Sequence, residues 1–313
     1  MDPSTASVPV NAHGWGIALL ASTGLALGAA CSRPAETAPA PTPPAASAAA
    51  GSSTARIERA LPAFLAARGR TSWPACSALV TQAREAQNAG DEQRADALLD
   101  QQLAAHPDDL EALLMRSVLH YQRIEMGAAR PGLERILDAG PTFAGADFVF
   151  YYYGGCLMRL GDAVGARRAL EANLELSPGD GETYYLLGEL ELQLGDDAAA
   201  LARYEQAIAA FEGPGVRNPA PAPSRARAHT GVARALISSG QLERARAALE
   251  RSMQIDPTES QNHYLMARVL KQLGDKAGAR KAMVDFKRLE SGQKPRFFGR
   301  EKTAADGDRE QGG

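Results

Sequence analysis

Residues 147–180 read DFVFYYYGGCLMRLGDAVGARRALEANLELSPGD. Their apolar residues recur at helical spacing in two segments, which predicts one helix over about 148–160 and a second over about 163–176. The pair Gly161-Asp162 between these segments favours a tight turn, and Pro178 is expected to end the second helix. The stretch therefore predicts a helix–turn–helix unit.

The same unit recurs along the chain. Gly-Asp or Gly-Gln pairs are spaced by 34 residues from 161 to 195 and from 240 to 274, and such self-similarity is typical of repeat architectures. A register of 34 residues is interrupted only by a short insert, Ala144–Ala146, and by a Pro-rich insert, Gly215–Arg225. It gives six units: 76–109, 110–143, 147–180, 181–214, 226–259 and 260–293.

Small residues mark the places where the two helices of a unit should cross. The eighth position of the six units holds Ala83, Ser117, Gly154, Gly188, Ala233 and Ala267. The twentieth holds Ala95, Ala129, Ala166, Ala200, Ala245 and Ala279. The twenty-fourth holds larger packing residues: Leu99, Leu133, Leu170, Tyr204, Leu249 and Met283.

With this period and these positions, the chain resembles the tetratricopeptide repeat family. The resemblance implies an all-α, right-handed superhelical solenoid of about six helix–turn–helix repeats, stabilised by stacking of neighbouring units. One departure is local, because Ile124-Glu125 stands where the second unit should have its turn glycine.

In this family the first helices line a concave groove, and the resemblance carries the groove positions over to this chain. They include an aromatic centre of tyrosines beside Gly155, a basic end in the last two units, and Tyr121 at a twelfth position. The alternatives are packing between repeats for the tyrosines and an ordinary solvated face for the cations. The predicted partner-binding residues are Phe148, Tyr151, Tyr152, Tyr185, Glu189, Arg227, Arg234, Tyr264, Arg268 and Lys271.

Charge is distributed unevenly although the formal net charge of the whole chain is only −3. Residues 76–212 carry 10 Lys and Arg against 23 Asp and Glu, whereas residues 226–290 carry 12 against 7. Such asymmetry favours a partner with an acidic segment at the C-terminal units, or head-to-tail self-association. The small net charge gives no indication of nucleic-acid binding.

The N-terminus resembles a bacterial lipoprotein signal. The apolar stretch 15–30 has the length of a secretory signal core, and residues 27–31, LGAAC, resemble a lipobox whose lipidated residue would be Cys31. The resemblance implies a lipid-anchored protein on the periplasmic side of a bacterial membrane, with the outer membrane favoured. The alternatives are an uncleaved anchor, a signal without lipid, or a cytoplasmic location.

The segments around the array are assigned by composition. Pro62 should disturb the capping helix unless that helix begins near it. One helical face of this segment should pack it on the first unit, namely Ile57, Leu61, Phe64 and Leu65. The segments are the signal 1–31, a disordered Pro/Ala-rich linker 32–54, an N-terminal capping helix 55–75, the repeat array 76–293 and a disordered tail 294–313.

Catalytic and cofactor motifs are not evident in the sequence. It has no phosphate-binding GxxxxGK[ST] loop, no GxSxG, no HExxH and no CxxC, which gives no reason to expect an enzyme, a metal or a cofactor. His229 and His263, at the fourth position of adjacent units, are too few ligands for a metal site. The sequence therefore predicts a membrane-tethered scaffold that binds a protein or peptide segment, with a cytoplasmic or anchored regulatory adaptor as the alternative.

Overall fold

The computed structural model describes residues 52–213, 216 and 219–292, none of which forms a β-strand. The helices fall into two compact units that divide between Pro178 and Gly179. The first unit contains α1 Ser53–Ala67, α2 Ala78–Asn88, α3 Glu92–Ala105, α4 Leu110–Gln122, α5 Met126–Ala139, α6 Phe148–Arg159 and α7 Ala163–Leu176. The second contains α8 Gly181–Leu194, α9 Asp197–Glu212, α10 Ala222–Ser238, α11 Leu242–Ile255, α12 Ser260–Gln272 and α13 Lys276–Glu290. The predicted all-α helical repeat fold is confirmed.

A left-handed glycine and an aspartate cap join the helices of most pairs. Gly161 has φ of 83°, a conformation that costs glycine no side-chain clash. The Asp162 carboxylate then accepts a hydrogen bond from the Gly165 N–H at 2.9 Å, which satisfies a free donor at the start of α7. The same arrangement precedes α3, α9 and α13, at Gly90-Asp91, Gly195-Asp196 and Gly274-Asp275.

The turn between α4 and α5 lacks both devices, as the sequence indicated. Ile124 adopts the left-handed region at φ 64° without being glycine, which costs a residue with a Cβ about 1–2 kcal/mol. Glu125 makes no side-chain cap to α5. The pair is nevertheless closed by a core in which Leu133 and Ile136 are fully buried.

The helices of a pair approach closely where the small residues were predicted. A Cβ added to Gly154 would lie 2.7 Å from Cγ of Leu170, so α6 and α7 leave no room for a methyl group at that point. The eighth positions are buried in every pair, and so are the twentieth positions except Ala279, which is half-buried.

Helix α1 differs from its prediction in its bounds and in its continuity. It begins at Ser53, inside the predicted linker, because the Ser52 hydroxyl accepts a hydrogen bond from the Ala55 N–H at 3.2 Å. It ends at Ala67 rather than residue 75, and Gly69 follows with φ of 82°. Pro62 lies inside this uninterrupted helix, at a cost of about 3 kcal/mol. Burial of apolar side chains on both sides of the proline, Ile57 and Phe64 among them, offsets that cost.

The docking site of α1 also differs from the prediction. The helix packs on α5 and α7, the second helices of two pairs, and not on the first unit of the array, α2 and α3. Arg56 forms ion pairs at 3.0 Å with Glu134 and with Asp138 of α5. On the other side, Arg168 of α7 pairs with Glu58. Helix α1 docks on α5 and α7 because their surface offers both apolar contacts and complementary charges.

The first predicted insert and the described end of the second adopt local structure. Residues 144–146 form a tight turn, in which the Ala146 N–H donates to the Phe143 carbonyl at 3.3 Å and the Phe148 N–H donates to the Gly145 carbonyl at 3.1 Å. The Pro-rich insert was predicted to reach residue 225, whereas α10 begins at Ala222. This early start is favoured by Pro223 in the first turn, where a proline has no hydrogen bond to lose.

The interior of the second unit is built around one aromatic ring and one polar cluster. Tyr204 is fully buried against α8 and α10. Between α10, α11 and α12, the buried Thr230 hydroxyl donates to the Asn262 side-chain oxygen at 2.6 Å. The Asn262 amide donates to the Ser252 hydroxyl at 2.9 Å, and Ser252 donates to the Ala226 carbonyl at 2.8 Å. Such satisfied networks favour one register between repeats.

Several predicted segments lie outside the residues that the structure describes. These are the signal 1–31 with Cys31, nearly all of the linker, and the tail 294–313. Among the helices that are described, none combines the length and the apolar character needed to cross a bilayer.

Candidate functional site

Three tyrosines of the first unit pack edge to face on the first helices α4 and α6. The ring centroids of Tyr121 and Tyr152 lie 5.4 Å apart with an interplanar angle of 75°. Those of Tyr152 and Tyr151 lie 5.2 Å apart at 86°. We call these three residues the tyrosine cluster. Each such pair is worth about 0.5–1.5 kcal/mol beyond the area it buries.

Gly155 makes the tyrosine cluster possible. A Cβ at this position would lie 2.4 Å from the Tyr121 hydroxyl oxygen and 2.9 Å from Cε2. The sequence predicted an aromatic centre beside Gly155 but took Tyr185 as a member. In the structure, Tyr121 lies beside Gly155, and Tyr185 lies in the second unit.

The predicted site residues of the first unit are only partly accessible. Phe148, Tyr151 and Tyr152 are all half-buried. Burial raises the pKa of Tyr152 well above that of a free tyrosine, so its hydroxyl stays protonated at neutral pH. The cluster therefore offers rings and neutral hydroxyls, and no charge of its own.

In the second unit, two arginines on α10 pair with two glutamates on α8. Arg227 lies 3.1 Å from Glu182 and its guanidinium stands 5.0 Å from the centre of the Tyr185 ring. Arg234 lies 2.6 Å from Glu189, which also accepts a hydrogen bond at 2.6 Å from Tyr204. Burial, reinforced by the Glu189 charge, raises the pKa of Tyr185.

These pairs correct the prediction of a basic end formed by four cations. Arg227 and Arg234 are neutralised by carboxylates 45 residues earlier in the chain. The sequence named Glu189 as a groove residue but did not pair it with Arg234. The signal was available, since both occupy the ninth position of successive units.

The remaining predicted residues form one exposed face on α12. Tyr264, Arg268 and Lys271 follow each other at i, i+4 and i+7, which places them on one side of a helix. Tyr264 is 41% exposed, and both cations are exposed. Tyr264 rests on Phe286 of α13, with ring centroids 5.6 Å apart. We call these three residues the α12 face.

The comparison with protein families follows the same repeat register. Sequence profiles described as tetratricopeptide repeat match residues 80–142, 157–215 and 185–260, and a second profile of that description matches 236–285. Together the matches cover more than half of the chain. The chain belongs to the tetratricopeptide repeat family. The positions used above are thus those of tetratricopeptide repeats, a fold that serves protein–protein interaction scaffolds.

Solved structures are similar to this chain at low sequence identity. A chain of the APC/C hetero-tetramer Cut9–Hcn1 is similar over 68% of this chain with a TM-score of 0.59 and 13% identity, and the match spans 39% of that chain. YrrB, described as a TPR protein with an unusual peptide-binding site, has a TM-score of 0.43 and 15% identity over 62% of this chain and 92% of its own. MamA from Desulfovibrio magneticus RS-1 has a TM-score of 0.39 and 20% identity over 71% of this chain and 100% of its own. No curated protein sequence matches the chain.

Tetratricopeptide repeat proteins are generally non-catalytic scaffolds, and the two histidines at the fourth repeat position have structural partners. His229 lies 2.8 Å from Glu212, which also binds Arg225 at 2.9 Å. His263 lies 3.4 Å from the Pro257 carbonyl. Over the described ranges, no three His, Cys, Asp or Glu side chains gather into a group that could hold a metal ion.

Proposed function

We propose that this tetratricopeptide repeat protein is an interaction scaffold that holds an acidic segment of a partner protein against the α12 face. The observation that carries the proposal is the combination of an exposed tyrosine with two exposed cations on one helix face. Neither Arg268 nor Lys271 has an ion pair with another described residue. Arg227 and Arg234, by contrast, already have acidic partners within their unit.

The chemistry of the α12 face suits an acidic peptide. Tyrosine offers a flat apolar surface with a hydroxyl, and it is enriched where proteins bind each other. Arginine binds carboxylates through two parallel hydrogen bonds, and lysine adds a second positive charge one turn further on. Attraction at such an exposed face should be strong at low salt and weak at high salt.

A different role follows for the half-buried tyrosines. Tyr152 packs on two tyrosine neighbours, and Tyr185 packs on Tyr204 at 5.7 Å while covered by Arg227. These contacts support a packing role, so that their replacement by alanine should lower stability first. We therefore place the partner contact on the α12 face and assign the tyrosine cluster a packing role.

The experiment compares two charge-reversal variants of the full chain. Arg268→Glu/Lys271→Glu reverses the α12 face, and Arg280→Glu/Lys281→Glu makes the same charge change at exposed positions of α13. Partners are crosslinked in cells and quantified by mass spectrometry. We expect the first variant to lose an acidic partner at least tenfold relative to the parent, while the second retains it. Equal capture by all three proteins would contradict the proposed face.

We further propose that a lipid on Cys31 tethers the scaffold to the periplasmic side of a bacterial membrane. The support is the apolar stretch followed by a lipobox-like sequence and a Pro/Ala-rich spacer. The Cys31→Ala variant should lose incorporation of a labelled fatty acid, whereas Cys76→Ala should retain it. Label that persists without Cys31, or recovery of the protein in the cytosolic fraction, would favour the cytoplasmic adaptor.

A further inference from the structure

A cavity of about 490 Å³ lies in the first unit, outside the repeat motif. Its walls come from the end of α1, the connection 68–73, the loop 141–147 and the end of α7. Two of these parts are departures from the repeat pattern, namely the docked helix α1 and the insert at 144–146. We call it the α1 cavity. Its volume lies in the range of small-molecule sites, which is about 300–1,000 Å³.

The walls of the α1 cavity are largely apolar and aromatic. Phe64 and Phe143 are buried beside it, and Trp73 is half-buried at its edge. Phe64 is held in place by Phe150 of α6, with ring centroids 5.0 Å apart at 81°. The Phe64 part of the wall is thus anchored in the core of the unit.

One carboxylate lines this cavity with no partner other than its own backbone N–H. Asp147 is half-buried, and over the described residues it has neither an ion pair nor a side-chain hydrogen bond to the start of α6. Asp109 and Asp180, at the same place before α4 and α8, each accept a backbone N–H. They are extended residues, whereas Asp147 is held at φ −62°, ψ −26° by the preceding turn.

Two arginines, Arg68 and Arg70, also line the cavity, and each already has a contact of its own. The Arg70 guanidinium lies 4.5 Å from the centre of the Trp73 ring, and its Nε donates to the Ser72 carbonyl at 2.8 Å. Arg68 donates to the Glu175 carbonyl at 3.4 Å. Burial raises the pKa of Asp147, and only its own backbone N–H opposes that shift. The carboxylate therefore lacks a compensating positive charge.

We propose that the α1 cavity binds an organic ammonium ion whose apolar body lies against Phe64 and Phe143 and whose ammonium group meets Asp147. A charge-assisted hydrogen bond would satisfy the carboxylate, and burial of the body would supply apolar contact. Aromatic rings in the wall also favour a cation over a neutral group. The α12 face belongs to the other unit, so the site is independent of the proposed scaffold function.

The test uses 4-phenylbutylamine as the probe and 4-phenylbutanol as its neutral counterpart. Binding to the full chain is followed by calorimetry and by the fluorescence of Trp73, with Trp15→Phe to remove the second tryptophan. We expect the amine to bind at least tenfold more tightly than the alcohol. Asp147→Asn should weaken amine binding at least tenfold and leave alcohol binding unchanged. Glu85→Gln, which removes a charge from an exposed position of α2, should change neither.

A second variant tests the location without altering the charge. Ala144→Phe adds a ring at the cavity wall and should abolish binding of both probes, while far-ultraviolet circular dichroism confirms that the chain is folded. The proposal is overturned if amine and alcohol bind equally, or if neither binds. It is also overturned if amine binding survives both Asp147→Asn and Ala144→Phe.

Discussion

Replacing Gly231 with alanine should destabilise the second unit, because the Tyr204 ring occupies the space that the new methyl group needs. An ideal Cβ at position 231 would lie 2.5 Å from Cε1 and 2.6 Å from Cδ1 of that ring. The ring has little freedom to withdraw. It is fully buried, it lies equally close to Gly188 of α8, and its hydroxyl donates to Glu189 at 2.6 Å.

Two opposing contributions set the magnitude. Forcing an extra methyl group into a packed core costs about 1–3 kcal/mol, and three ring atoms within 3 Å of the Gly231 methyl group favour the upper part of that range. Alanine is a better helix former than glycine by about 1 kcal/mol in a helix interior. The net destabilisation at Gly231 should therefore be about 1–2 kcal/mol.

Urea unfolding followed by circular dichroism measures this effect, and Gly127→Ala is the matched control. Gly127 lies in α5, is exposed and has no heavy atom within 4 Å of its ideal Cβ. The same substitution should therefore stabilise the protein there by up to about 1 kcal/mol. Adding Tyr204→Leu should remove most of the penalty at Gly231, measured against Tyr204→Leu alone. A Gly231→Ala variant as stable as the parent would refute the packing argument.

Three further predictions concern stability. Ile57→Ala should lower the free energy of unfolding by about 2–5 kcal/mol, because Ile57 is fully buried on the packed face of α1. Leu65→Ala, at a position of the same helix that is 37% exposed, should have a much smaller effect in the same urea titration. Asn262→Ala should lower the free energy of unfolding by about 1–3 kcal/mol, because two buried hydroxyls lose a hydrogen-bond partner. An unchanged free energy of unfolding would mean that the polar cluster of α10–α12 does not contribute to stability. Burial disfavours the charged form of Glu212, but hydrogen bonds from His229 and a neighbouring arginine hold its pKa below the usual range. The Glu212 carboxylate therefore stabilises the fold above the ordinary carboxyl pKa, and this contribution is lost as the pH falls through the lowered pKa. Glu212→Gln should reduce the loss of thermal stability at acid pH. If the melting temperature falls with acid pH as it does in the parent, Glu212 is not the source of that loss.

The distribution of exposed charge in the structure differs from the one that the composition predicted. The sequence places an excess of cations in the last two repeats, and this predicted a basic groove. In the structure, Arg227 and Arg234 form ion pairs with glutamates of the preceding repeat. Part of the excess positive charge is therefore neutralised within the second unit. Among the described helices, only α12 keeps exposed cations beside an exposed tyrosine. For that reason, we place the proposed partner contact on the α12 face.

The helix–turn–helix repeats could be predicted from the sequence alone. Their signals are local, because a glycine such as Gly161 and a cap such as Asp162 act within one turn of chain. The small residues at the crossing positions are equally periodic, so a single register placed Gly154 and its counterparts correctly in the core. Family membership follows from the same periodic features.

Only the tertiary structure decided where the non-repeating parts dock and which side chains meet. An amphipathic α1 is compatible with several apolar seats, and the ion pairs of Arg56 with α5 and Arg168 with α1 select one. The α1 cavity and the place of Asp147 in its wall arise from that docking and from a three-residue insert, and neither has a periodic signal. Contacts between residues far apart in the chain depend on the packing of whole helices, and that packing is not contained in the pattern of any one repeat.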